Sequence, residues 1–140
     1  MANSFQARLV SPRFDLGGFS ANLIEIPTVQ GYIAVGADHA ALLSQISTGV
    51  VRISTDQKEE VRLFVSEGTL HIEDDVCTLM ASTFEKPEEI DLSRAESAQR
   101  RAVERLEAAK NAGPESVDIP RALAALERAK ARQQLHKTKG

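Results

Sequence analysis

Near Pro87 the apolar residues of this chain change their period, so the two sides of that point belong to different kinds of structure. Up to Ser82 they recur in short runs with a strand-like rhythm: Phe5 to Val10, Ala21 to Ile26, Tyr32 to Val35, Val50 to Ser54, Val61 to Val65, Thr69 to Glu73 and Val76 to Ala81. Turn chemistry separates them, at Ser11-Pro12, Gly17-Gly18, Asp56-Gln57-Lys58, Glu67-Gly68 and Asp74-Asp75. Short strands at this spacing predict an antiparallel sandwich or barrel. The longer interruption from Asp38 to Gln45 reads as a loop or a helical turn.

Beyond Pro87 the strand formers give way to Ala, Glu, Arg, Leu and Lys, the favoured helix formers. Leu92, Ala95, Ala102, Leu106 and Ala109 fall on one stripe at helical spacing. Asp91 is placed to cap that helix, and Asn111-Ala112-Gly113-Pro114 to stop it. A second helix is predicted to start near Asp118, with Pro120 in its first turn, where a missing amide costs little. Its stripe is Ile119, Ala122, Leu126 and Ala129. Two helices of similar length joined by a short linker predict an antiparallel hairpin. The expected fold is therefore an all-β N-terminal sandwich or barrel, residues 1–84, followed by a C-terminal antiparallel α-helical hairpin, residues 85–140.

Composition sharpens this. Apolar residues make up 42% of the 140, but aromatics only 4% and Trp none, so the β core must be built from Val, Ile, Leu, Ala and a few Phe. The helical stripes are rich in alanine, which buries little area at ~25 cal/mol per Å². The hairpin is therefore expected to hold weakly and to be able to come off the β domain. A net charge of −3 argues against a general nucleic-acid binder. Cys77, the only cysteine, lies in the apolar run Val76 to Met80 and reads as a small buried hydrophobe. The N-terminus lacks the features of a signal peptide, and no apolar run approaches the roughly 20 residues that span a bilayer.

A β-rich domain followed by a hairpin that opens with Ile90-Asp91-Leu92-Ser93-Arg94-Ala95 closely resembles the ε subunit family of bacterial F-type ATP synthases. Val10-Ser11-Pro12, Gly31 through Leu43 with His39-Ala40, Gly49-Val50-Val51-Arg52-Ile53, Ser66 to Ile72 and Val76 to Ala81 carry the rest of the likeness. The Ile-Asp-x-x-Arg-Ala string is its most specific piece. The chain departs from the family at Tyr32, where an acidic residue is usual, and at Asp38-His39-Ala40-Ala41, where Gly-His-Ala-Pro is usual.

The resemblance implies a non-catalytic rotor subunit. Its β domain would sit on the central stalk between the γ subunit and the c-subunit ring, coupling proton flow to ATP synthesis. Tyr32, Asp38 and His39 would lie in the partner-contact loop. The tail would inhibit ATP hydrolysis when it extends along γ towards the catalytic β subunits. In some relatives the folded hairpin binds ATP, and that ligand set maps onto Glu85, Ile90, Asp91, Arg94, Ala95, Arg128 and Arg132. No cofactor is required; regulatory ATP is the implied ligand. The expected location is peripheral, on the cytoplasmic side of a bacterial plasma membrane, since no transit peptide is evident.

The chemistry suits the ligand. Arg128 and Arg132 are four apart on one helix face, and their planar donor forks match phosphate oxygens. Glu85 and Asp91 offer acceptors for an adenine amine. The plainer reading makes Asp91 a helix cap, pairs Arg94 with a nearby carboxylate and leaves the other arginines solvated. From Arg128 onward the charges are all basic, which suits either docking on an acidic surface or a frayed tail. His39, His71 and His136 lack metal-ligand spacing, with His71 read as structural or solvent-facing. No nucleophile with its base, Gly-rich phosphate loop or carboxylate dyad is evident. Two other functions compete with this one. A small nucleic-acid-binding β-barrel protein with a basic helical tail suffers from scarce aromatic platforms. An ATP-dependent enzyme lacks a catalytic constellation.

Overall fold

A computed structural model describes residues 4–12, 15–113, 115 and 117–137, the side chains of 15 and 16 excepted. The chain divides after Lys86 into two compact units. The first contains strands β1 (Phe5–Val10), β2 (Asp15–Thr28), β3 (Gly31–Gly36), β4 (Leu42–Ile46), β5 (Gly49–Thr55), β6 (Glu60–Val65), β7 (Gly68–Glu73), β8 (Val76–Ala81) and β9 (Phe84–Glu85). The second contains a 3-10 turn (Pro87–Glu89) and helices α1 (Leu92–Ala112) and α2 (Ile119–Lys137).

Among the described residues the strands form a nine-stranded sheet in the order β1-β8-β7-β4-β2-β5-β6-β9, with β3 also on β2 and β1 also on β2. The long β2 makes this closure possible. Its first half pairs with β1, Ala21 opposite Phe5, and its second half pairs with β3, Ile26 opposite Ile33. On the inner face, alternate residues of each strand meet in one core: Ala7 and Leu9 of β1, Leu70 and Ile72 of β7, Cys77 and Leu79 of β8, all fully or almost fully buried. Period-two burial is what the alternating sequence runs encode.

Two details differ from expectation. Leu42–Ile46 is a strand, paired with β7 from Leu42 opposite Ile72 to Ile46 opposite Gly68, rather than part of a loop or helical turn. Leu43 stands on its outward side, so the run shows no apolar alternation, and pairing with β7 supplies what local propensity does not. The sheet is also not wholly antiparallel, because β1 runs parallel to β8, Ala7 opposite Cys77. The β7–β8 connection is a two-residue turn in which Asp74 and Asp75 both have positive φ, 50° and 60°, as a type I′ hairpin demands.

In the helical unit, Asp91 takes an extended conformation and its Oδ1 accepts from the Arg94 amide at 3.1 Å, the N-cap geometry expected for it. At the start of α2 the Asp118 Oδ1 accepts from the Arg121 amide at 3.2 Å. Helix α1 stops at Ala112 because Gly113 adopts φ 95°, which the absence of a Cβ permits; Pro114, also read as part of the stop, lies outside the described residues. Gln99 and Gln133 are hydrogen-bonded to each other, one early in α1 and the other late in α2, so the helices run antiparallel. Ala95, Ala102 and Ala109 of α1 and Ala122 and Ala129 of α2 are buried. Helix α2 carries a second buried pair, Ala131 and Leu135, which at 100° per residue lies on the other side of the helix.

Candidate functional site

The ATP-binding set expected from the resemblance divides into three groups. Ile90, Asp91, Arg94 and Ala95 gather where the 3-10 turn passes into α1. Ile90 is buried and its amide donates to the Pro87 carbonyl at 3.3 Å, which fixes the chain's entry into the helix. Ala95 is buried, its amide donating to the Asp91 carbonyl at 3.0 Å, while Arg94 is exposed. Asp91 spends one carboxylate oxygen on the Arg94 amide. Its charge also lies at the positive end of the α1 dipole.

Arg128 and Arg132 form the second group, half-buried on one flank of α2 and one turn apart. With Gln99 beside Gln133, the antiparallel register sets Arg132 about 9 Å, and Arg128 about 15 Å, along the hairpin axis from the level of Arg94. Long guanidinium arms can shorten those spans. A ligand touching all three would lie lengthwise along the hairpin, and an elongated polyphosphate has that shape. Glu85, the third group, belongs to the β unit, where it pairs in register with Phe64.

The residues assigned to partner contact mark the two ends of β3, separated by roughly 15–20 Å of strand. Tyr32, 59% exposed, accepts a hydrogen bond on its hydroxyl from the Val50 amide at 3.1 Å. It stands over Gly49, where an added Cβ would come within 2.8 Å of the hydroxyl. Asp38 has φ 60° and its amide donates to Asp75 Oδ1 at 2.8 Å, tying this end of β3 to the β7–β8 turn. The His39 ring Nδ1 donates to the Ala40 carbonyl at 2.7 Å. His71 is exposed, 3.5 Å from the Glu73 carboxylate. Among the described residues, no three His, Cys, Asp or Glu side chains are grouped to hold a metal ion. Cys77 is fully buried and burial pushes its thiol up to about 12.

One surface was not picked out in the sequence. The outward side of the β4-β7-β8-β1 ladder aligns Gln45, Thr69, Met80 and Val10 in one row, with Leu43 and His71 in the next. Leu43 is 71% exposed and Met80 43%. Two open grooves meet on it at Glu67 and Gly68, about 580 Å³ beside Leu43 and about 350 Å³ beside Pro12 and Met80. The available signal was Leu43 itself, an apolar residue on the wrong side of the β4 alternation.

Two family models match the chain in succession. Residues 4–87 match the β-sandwich domain of the ATP synthase delta/epsilon chain, and residues 88–137 match the long α-helix domain of the same chain. The chain belongs to the ATP synthase delta/epsilon chain family. Its relatives include the ATP synthase epsilon chain of Desulfitobacterium hafniense (strain Y51), 36% identical over 106 residues that cover 76% of this chain and 80% of that one. The epsilon chain of Clostridium novyi (strain NT) is 33% identical over 106 residues, covering 76% of this chain and 81% of that one. The fold is also similar to a chain in the cryo-EM structure of the Euglena gracilis mitochondrial ATP synthase, OSCP/F1/c-ring in rotational state 1. There the TM-score is 0.80 at 19% identity, over 92% of this chain and 79% of that one. A chain of the Tetrahymena thermophila central stalk and c-ring gives 0.53 at 17% identity, over 60% and 67%. Among the described residues no helix is long and apolar enough to cross a membrane.

Proposed function

We propose that this chain is a non-catalytic epsilon-type subunit of the central stalk of a proton-translocating F-type ATP synthase. The carrying observation is the succession of two family domains, sandwich then long helix, over residues 4–137. The β unit docks on the γ subunit and the c-subunit ring, and so is peripheral to the membrane, on the cytoplasmic side of a bacterial plasma membrane. The outward face with Leu43 and Met80 supports the γ contact, since apolar side chains this exposed lose their hydration cost only against a partner. Co-purification with γ and the c ring tests it. Leu43→Asp with Met80→Asp is expected to cut recovery of the complex at least ten-fold while the isolated variant stays folded; unchanged recovery moves the contact elsewhere.

The helical unit is the regulatory part. ATP lies along the hairpin, its phosphates on Arg94, Arg128 and Arg132, and holds the tail folded; without it the tail extends to the catalytic β subunits and inhibits hydrolysis. The support is the pair of guanidinium groups one turn apart on α2, with Arg94 within reach along the axis. Calorimetric titration of the isolated chain with ATP is the test. Saturable binding, lost in both Arg94→Ala and Arg128→Ala, is expected. Absence of binding up to millimolar ATP rejects the nucleotide site and leaves the stalk assignment standing. Deletion of residues 128–140 is expected to raise ATP hydrolysis by the assembled enzyme, and unchanged hydrolysis rejects inhibition by the tail.

A further inference from the structure

Both helices repeat every seven residues. In α1 the alanines 95, 102 and 109 form one such row, and Leu92, Gln99 and Leu106 form the row beside it. In α2 the rows are Ala122, Ala129 and His136, and Ile119, Leu126 and Gln133. With Gln99 on Gln133, the antiparallel register sets Leu106 opposite Leu126, Ala102 near Ala129 and Ala109 near Ala122. Alanine layers are nearly interchangeable, so sliding one helix past the other by a heptad replaces Ala with Ala and costs little packing. The slip is about 10.5 Å. Residues 113–118 link the helices, and six residues can span up to about 20 Å, enough to absorb that shift.

His136 also interrupts an alanine row, at the end of α2, but Gln99 and Gln133 are the polar pair that a slip separates. After a heptad slip Gln99 faces Leu126, or Gln133 faces Leu106, and each half-buried amide loses its partner. A half-buried polar group deprived of its partner must turn to water at the seam's edge, a loss that the leucine it then faces does nothing to offset. A single polar pair in an apolar helix seam is a known means of fixing register at some expense of stability. We infer that the Gln99–Gln133 hydrogen bond is a register lock: it makes the hairpin close in one alignment and keeps that closure weak enough to reverse. The lock acts whether or not nucleotide binds, so it stands apart from the ATP site proposed above.

Disulfide trapping in the full chain tests it. Ala102→Cys/Ala129→Cys reports the observed register and Ala102→Cys/Ala122→Cys the slipped one; Cys77 is buried and takes no part. In a glutathione buffer the first pair is expected to cross-link at least ten-fold faster than the second. Adding Gln99→Leu/Gln133→Leu is expected to bring the two rates within about three-fold while raising the melting temperature of the helical signal. Gln99→Glu/Gln133→Lys, an alternative polar pair, is expected to restore the preference. A preference unchanged by the leucine pair overturns the lock. So does loss of helical signal in that variant, because the glutamines would then be supplying stability rather than limiting it.

Discussion

At Gly68 an added methyl group would overlap the Met80 carbonyl oxygen and the Ala81 Cα, both backbone atoms that cannot turn aside. Gly68→Ala is therefore expected to lower stability by about 2–3 kcal/mol, read as a shift in the urea midpoint at constant slope. At Gly49 the obstacles are the Tyr32 hydroxyl and the Pro27 ring, 2.8 and 2.9 Å away, and Tyr32 can swing out. Cys77 makes a different kind of prediction. Burial holds its thiol proton in the folded chain up to about 12, against 9.0 for the free group. The unfolded chain loses that proton first, so the contribution is intact below about pH 9 and declines as pH rises towards 12. A thiol reagent at pH 8 is expected to label Cys77 only after denaturation. That burial was legible from the apolar neighbours of Cys77, as the cap was from Asp91 before a helical stripe. The positive φ of Asp38 and Lys58 was not, because no local sequence signal demanded it.

At the scale of elements, Asp91 holds two candidate roles, and they separate by substitution. Asp91→Ser keeps a side-chain acceptor for the Arg94 amide, whereas Asp91→Ala removes it, at about 1 kcal/mol of helix stability. The serine variant is expected to match the parent in helical circular dichroism yet bind ATP more weakly if the carboxylate is a ligand; equal affinity assigns Asp91 to capping alone. Asp74→Asn is expected to stabilise the β7–β8 hairpin by about 0.5 kcal/mol, since Asn tolerates left-handed backbone better and leaves the Asp75 carboxylate on the Asp38 amide. The helices were readable because their caps and stripes are local. Strand β4 was not, because Leu43 breaks its alternation and its partner β7 lies more than twenty residues away. The second buried side of α2, Ala131 and Leu135, escaped for a related reason: the stripe that pairs with α1 accounted for the periodicity by itself. Of the candidate site, the Asp91 to Ala95 group and the two α2 arginines are legible in local sequence, while their spacing along the hairpin depends on the Gln99–Gln133 register.

Across the whole molecule the two units are built from unequal materials. The β core packs Ile, Leu, Val and Phe side chains, several with no solvent exposure at all, while the buried positions of α1 are all alanine. The apolar area each residue withdraws from water differs accordingly. Amides of α1 and α2 are expected to exchange at least ten-fold faster than those of β5, β7 and β8 in native-state hydrogen exchange. Equal protection would mean that the chain opens as a single cooperative body. The parallel β1–β8 pairing has an outcome of another sort, in time rather than energy. The first strand made has one of its two partners, β2, close behind it and the other among residues 76–81, so during translation that second edge waits roughly 4–14 s at 5–20 residues per second. For that interval Phe5, Ala7 and Leu9 have no neighbouring β8 to cover them, and the nascent chain is open to chaperones until its eighth strand leaves the ribosome.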